Sequence, residues 1–344
     1  MNDEVVKGHP LNQNRTGNLN KSVWIISFLV LSATLILPFI VSGFVLDVMN
    51  RTLLSFIAAI ALNILTGYAG QVSLGHAGFL AAGAFTTAIV NREMGIPFIP
   101  TLIISTSVGM ILGLFVGLPS LRLKGLYLAL GTLGIHYIIV YLGGEYQFRW
   151  NYNTGIIIDN PKLGPILLDN GIKWFYFLAA FSLVVWVYCQ NLTRTRTGRA
   201  WMALRDRDIA AASMGVNVAA YKLRAFVFSS GLTSLAGSLG AFYIHFVSVD
   251  AFTFYLTIEY IAMVIIGGLG SILGSFLGAF FVTVLPHVID DLVDLLGTSG
   301  RIASHIFAVK FSFFGLLMVI FLIFEPQGIL GIWNRLYHRF KNRP

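Results

Sequence analysis

The run from Trp24 to Leu46 holds 23 residues without one charged side chain. As a helix it is roughly 35 Å long, enough to cross a hydrocarbon core of about 30 Å. Nine further apolar runs follow, at approximately 52–66, 72–90, 98–118, 125–143, 174–190, 225–248, 252–267, 271–288 and 306–324. They are unbroken, whereas barrel strands would alternate. A chain with ten such runs cannot wrap them around one water-soluble core. Composition agrees: 56% of residues are hydrophobic and 11% are charged, with a mean hydropathy of +0.79. A soluble domain carries about 25% charged residues. The expected fold is therefore an all-α polytopic membrane protein of about ten transmembrane helices. An ordinary soluble enzyme, a disordered chain and a disulfide scaffold are excluded, the last because Cys189 is the sole cysteine.

Charge orients the spans. A segment longer than the 7–15 apolar residues of a signal peptide follows the polar stretch 1–23, so that stretch reads as a cytoplasmic tail before a true span. Ten spans then place 1–23, 67–71, 119–124, 191–224, 268–270 and 325–344 in the cytoplasm. These segments hold 16 of the 23 Lys and Arg residues but only five of the 15 Asp and Glu residues. Cytoplasmic loops are rich in Lys and Arg, so both termini are expected inside. The net charge of +8 thus reports orientation and gives no reason to invoke nucleic acid. The domain expectation is a tail over 1–23, a membrane domain over 24–324 with a large cytoplasmic loop at 191–224, and a basic tail over 325–344.

The motifs of common catalytic sites are missing. There is no GxxxxGK[ST], HExxH or GxSxG run, and the seven histidines lack ligand spacing on any one helix. No catalytic residue and no metal site is expected. Ionisable residues at membrane depth are costly and must face a bundle interior, a cavity or the interface. His76, His136, His245 and Glu259 are the candidates. The most polar membrane-level stretch is Gly67-Tyr-Ala-Gly-Gln-Val-Ser-Leu-Gly-His-Ala-Gly78. Its glycines permit unusual backbone angles, and freed backbone groups must be buried in protein or line water. Gln71, Ser73 and His76, and more weakly Thr132, either face a translocation path or hydrogen-bond across packed helices. The stretch Ser73-Leu-Gly-His-Ala-Gly-Phe-Leu-Ala-Ala-Gly-Ala-Phe85 echoes Ser271-Ile-Leu-Gly-Ser-Phe-Leu-Gly-Ala-Phe280. Glycine-interrupted segments in two halves suggest an inverted repeat, although small-residue helices also resemble one another.

The loop 191–224 is too charged to span. Arg199 to Met214 reads as one amphipathic helix, with Thr197 as its cap and Gly215 at the left-handed position past its end. Trp201, Leu204, Ala211 and Met214 form one face, and Arg205, Asp206, Arg207 and Asp208 form a charged block. Such a helix either lies on anionic lipid or docks a cytoplasmic partner.

The chain closely resembles the permease subunit of branched-chain amino acid ABC importers. The resemblance rests on Ala61–Phe79, Leu118–Leu133, Thr197-Gly-Arg199 through Met214-Gly-Val-Asn217, Ile258-Glu-Tyr260 with Gly267-Gly-Leu-Gly-Ser-Ile-Leu-Gly274, and Glu325-Pro-Gln-Gly-Ile-Leu-Gly331. It covers roughly 50–331. It implies a ten-helix fold with inverted halves. It also implies a homologous second permease subunit, two cytoplasmic ATPase subunits that carry ATP and Mg, and an extracytoplasmic solute-binding protein. No cofactor is expected in this chain itself. Arg199, Arg205, Asp206, Asp208 and Gly215 inherit an ATPase-coupling role. Gln71, Ser73, His76, Thr132 and Glu259 are expected beside the path. The outer loop departs from the family: a TGG-type run is replaced by Asn153-Thr-Gly-Ile-Ile-Ile-Asp-Asn-Pro161. Import of urea or short amides, or a pentose, therefore stands as an alternative cargo within the class. A self-contained secondary carrier or channel is the rival outside it. The expected site is a bacterial inner membrane.

Overall fold

The computed structural model describes residues 36–121, 123, 125–150, 152 and 154–295, with 312, 315, 316, 319, 320, 328, 329 and 331. The tail expected over 1–23, most of the first and last apolar runs, and most of 325–344 lie outside the described residues.

In lipid each segment must satisfy its own backbone, and the described chain is mostly helical. Helix α1 (Gly43–Asn63) closes on a π-helical turn, Ile64–Tyr68. Helix α2 (His76–Ala88) closes on another, Ile89–Glu93. Then come α3 (Phe98–Ser120), α4 (Leu126–Arg149) and α5 (Gly171–Arg194). Two short helices follow, α6 (Arg196–Asp206) and α7 (Asp208–Ser213). The chain continues with α8 (Val218–Ile244), α9 (Phe254–Gly267) and α10 (Ile272–Leu295). Seven of these segments are long and apolar enough to cross a membrane.

Three expectations are corrected. The first apolar run does not end a helix at Leu46: α1 starts at Gly43 and continues through Asp47 and Arg51. Those charges stand one turn apart and pair at 2.7 Å, so they do not interrupt it. The all-α expectation holds for the spans only. The loops add four two-residue strands, β1 (Ile156–Ile157), β2 (Lys162–Leu163), β3 (Ile166–Leu167) and β4 (Phe246–Val247), because outside lipid the backbone has other partners. Strand β1 pairs antiparallel with β4, and β2 with β3. Finally, the segment 72–90 gives a 13-residue helix, because Gly70 (φ 68°) and the loop after it delay the start to His76.

Two ends can be followed along the chain. At one end Arg92 Nη1 donates to the Ile157 carbonyl at 2.6 Å, and the Tyr152 hydroxyl donates to Glu93 at 2.5 Å. Asn50 Nδ2 reaches the Gly171 carbonyl at 3.0 Å, and the Tyr243 hydroxyl reaches Asp47 at 2.6 Å. The starts of α1, α3 and α5 and the ends of α4 and α8 therefore lie there. The ends of α1, α5 and α9 and the starts of α2, α8 and α10 lie at the other. Segment His76–Glu93 also joins the two ends, so eight consecutive segments alternate in direction.

Small residues hold the body together. A Cβ on Gly83 would overlap the Ser234 carbonyl, and one on Gly237 the Leu80 carbonyl, so α2 and α8 touch backbone to backbone. Ser234 Oγ donates to the Phe79 carbonyl at 2.9 Å across the same seam. Thr87, Ser105 and Ser238 join hydroxyls where α2, α3 and α8 meet.

Candidate functional site

The glycine-rich breaks converge at the end marked by α6. Within the π turn, the Gly67 backbone meets Gly270: a Cβ on Gly67 would overlap the Gly270 amide nitrogen. Gly270 (φ 76°) sits between α9 and α10. Asn63 locks the two breaks together. Its Oδ1 accepts from the Gly270 amide at 2.8 Å, and its Nδ2 donates to the Ser271 carbonyl at 2.8 Å and Ser275 Oγ at 2.7 Å. Gly328 comes to the same place, since a Cβ there would lie 2.6 Å from the Gly268 amide. Three of the quoted glycine motifs, distant in sequence, thus form one node.

Arg205 ties the large loop to that node. Its Nη1 donates to the Gly67 carbonyl at 2.9 Å, and its Nε donates to Asp206 at 3.2 Å. A Cβ on Gly70 would lie 2.9 Å from the Arg205 Cα, so only glycine admits this approach. Arg199 Nη1 caps the end of α5 through the Arg194 carbonyl at 2.7 Å. Lys222 Nζ, half-buried on α8, pairs with Asp208 at 3.4 Å. Gly215 has φ 84°, the left-handed conformation expected past a helix end. Charged residues on one loop therefore reach α1, α5 and α8.

The single helix expected over 199–214 is two helices. Arg207 is extended (φ −158°, ψ 104°) and breaks them. Thr195, not Thr197, caps the first by accepting from the Gly198 amide. Trp201, Leu204 and Ala211 are buried, but Met214 is 83% exposed, because the break turns it off the shared face.

The glycine-rich side chains make packing bonds. Gln71 Nε2 donates to the Lys222 carbonyl at 3.0 Å. Ser73 Oγ accepts from the Gly75 amide at 3.3 Å, and Thr132 Oγ1 from the Leu74 amide at 2.9 Å. His76 Nδ1 lies 3.4 Å from the Thr233 hydroxyl. Thr257, a residue with no local sequence signal, accepts from the Ala77 amide at 3.0 Å. The Ser73, Thr132 and Thr257 bonds satisfy amides at and just before the start of α2. All four expected residues are buried here. His136 is buried where α4 crosses Gly78, and His245 (φ 59°) forms the turn after α8.

Glu259 is placed differently. It lines a cavity of about 500 Å³ toward the opposite end, between α1, α2, α8, α9 and α10. Arg51, Ser55, Tyr243, Tyr260, Thr283 and His287 supply its other polar wall, and Leu54, Leu80, Leu256, Met263 and Val282 much of its apolar one. Gln71, Ser73, His76 and Thr132 do not line it. Beyond the cavity lies a charged rim. There Lys173, hydrogen-bonded at 2.6 Å, holds the Asp169 carboxyl below the usual carboxylate range. Donation to Glu93 pushes the Tyr152 phenol up. Among the described residues no cluster of three or more His, Cys, Asp or Glu suits a metal.

The chain is thus a polytopic bundle whose glycine breaks are gripped by one charged loop. Residues 44–324 match the family described as the branched-chain amino acid transport system / permease component. The chain belongs to this family. It is 31% identical to the high-affinity branched-chain amino acid transport system permease protein LivM of Escherichia coli, over 91% of this chain and 75% of that one. It is 24% identical to a probable branched-chain amino acid transport permease protein LivM of Methanocaldococcus jannaschii, over 80% and 90%. It is 26% identical to an autoinducer 2 import system permease protein LsrC of Enterobacter sp., over 64% and 63%. No solved structure matches it. Members of this permease family are membrane subunits of transport systems, which fits the spans described above.

Proposed function

We propose that this chain is the membrane permease subunit of an ATP-driven importer of branched-chain amino acids, seated in a bacterial inner membrane. The observation that carries the reading is Arg205: it leaves a charged loop helix and grips the Gly67 break of a membrane span. A force applied to α6 is thereby delivered to the hinge between α1 and α2 and, through Asn63, to the hinge between α9 and α10. Rigid-body displacement of such elements converts one access state to the other. The partner's ATP cycle shifts the populations. Arg199, Arg205, Asp206, Asp208 and Gly215 form the coupling surface. Gln71, Ser73, His76 and Thr132 hold the hinge beside the path, and Glu259 faces the path.

The chain hydrolyses nothing itself. Two ATPase subunits carry ATP and Mg, a homologous second permease completes the pore, and an extracytoplasmic binding protein delivers solute. A span before α1 and one after α10 raise the eight alternating segments to ten, with both termini and the 191–224 loop in the cytoplasm. The domain limits 1–23, 24–324 and 325–344 follow from that count. The inverted halves rest on the family resemblance. The echo between 73–85 and 271–280 is no support, because both segments start from the same end. Urea, short amides, a pentose and stand-alone transport have no supporting observation. The test is purification of the tagged chain in mild detergent with identification of what accompanies it. Two nucleotide-binding subunits are expected, and a stable complex without any ATPase contradicts the proposal.

A further inference from the structure

The cavity around Glu259 joins features that the coupling argument leaves unused. Glu259 is a carboxylate at membrane depth, where an ionisable residue is expensive and marks a solute or ion pathway. It shares a hydrogen bond with the Tyr255 hydroxyl, which leaves further acceptor capacity on its oxygens. Beside His287, two acceptors stand on α10 in the same wall. Thr283 Oγ1 is buried and has no hydrogen-bond partner among the described residues. Such an orphaned hydroxyl calls for an explanation. Pro286 lacks an N–H, so the Val282 carbonyl loses its helical donor, and both residues line the cavity. A carboxylate, a free hydroxyl and a released carbonyl are all acceptors, and together they fit a cationic donor.

The remaining wall has two further characters. Arg51 lines the cavity while its Nε binds Asp47, and its planar fork has other N–H donors for a carboxylate. The rest is aliphatic, with Leu80, Leu256 and Met263 as its larger members. Gly240 on α8 opens space, since a Cβ there would meet nothing within 4 Å. A volume of about 500 Å³ is that of a small-molecule site.

We propose that this cavity is a binding site for the zwitterion of an aliphatic amino acid. Glu259, Thr283 and the Val282 carbonyl receive its ammonium, Arg51 its carboxylate, and the apolar wall its side chain. The site rests on the permease reading and deepens it: the permease itself recognises the solute after the binding protein has released it. A neutral amide brings no cation to Glu259 and no carboxylate to the remaining Arg51 donors, which selects against urea-like cargo.

Binding of radiolabelled L-leucine to the full chain in lipid nanodiscs tests the site. Saturable binding is expected, displaced by L-valine and L-isoleucine. 4-Methylpentanoate, which lacks the ammonium, should fail to displace it. Glu259→Gln should weaken binding at least about tenfold, the scale of a lost charge-assisted hydrogen bond, while Glu259→Asp restores part of it. Gly240→Leu adds bulk where a Cβ meets nothing within 4 Å and should abolish binding even if the Glu259 variants fold poorly. No saturable binding by the unaltered chain, equal displacement by 4-methylpentanoate, or unchanged binding by Glu259→Gln and Gly240→Leu overturns the proposal. Leucine uptake by cells carrying the complete importer is measured alongside. Uptake without binding refutes the site alone, whereas binding without uptake refutes the permease reading alone.

Discussion

At the scale of single residues, glycine placement separates packing from hinge and cavity. Gly83 abuts the Ser234 backbone, and neither α2 nor α8 can yield without moving its other contacts. Gly83→Ala should cost about 1–3 kcal/mol by overpacking. It is expected to lower the apparent melting temperature of the detergent-solubilised chain by several degrees. Gly134, exposed on α4 with open space at its Cβ, is the control: Gly134→Ala should leave that temperature unchanged or raise it. Equal melting of both variants with the unaltered chain would contradict the backbone-to-backbone seam. The glycine-rich stretch was legible in the sequence as irregular backbone at membrane depth. Which of its side chains bond to neighbours was not legible, because Gln71 meets Lys222 and His76 meets Thr233, both more than 150 positions away. Asn63 and Thr283 carried no local signal. A polar residue in an apolar run looks the same whether its partner is another helix or a solute.

At the scale of elements, the loop between α5 and α8 does the connecting. Its charge was visible in the sequence, and so was the glycine that ends it. The break at Arg207 was not, because a run of charged residues has no propensity that marks one extended position within it. Thr195 and Thr197 are equally good caps by composition, and the bend after α5 selects Thr195. Arg205 acts here through one carbonyl of α1, and Asp206 orients its guanidinium. Reversing both charges, Arg205→Glu with Asp206→Lys, keeps a possible pair between them but removes the donor to Gly67. Uptake by the assembled importer should fall to background, while membrane insertion, read from the yield in the membrane fraction, stays near that of the unaltered chain. Normal uptake by this double variant would remove Arg205 from the coupling route.

For the whole molecule, the span count groups loops at each end as the hydrogen bonds among the described residues do. The segments that the span count groups on one side, among them 67–71 and 268–270, meet at one end, and Asp47, Arg92 and Glu93 stand at the other. The cavity was beyond sequence reading, since five helices build it and none carries a periodic polar face. The proposed division of labour gives this chain the hinges, a gripping loop and a solute cavity, and leaves ATP to a partner; no GxxxxGK[ST] run occurs in its sequence. The most direct measurement is therefore radiolabelled leucine accumulation in proteoliposomes. These contain either the chain with its co-purified partners and binding protein or the chain alone under an ion gradient. The account predicts accumulation only in the first, and only with ATP hydrolysis. Leucine accumulation by the chain alone, driven by the gradient without ATP, would contradict it.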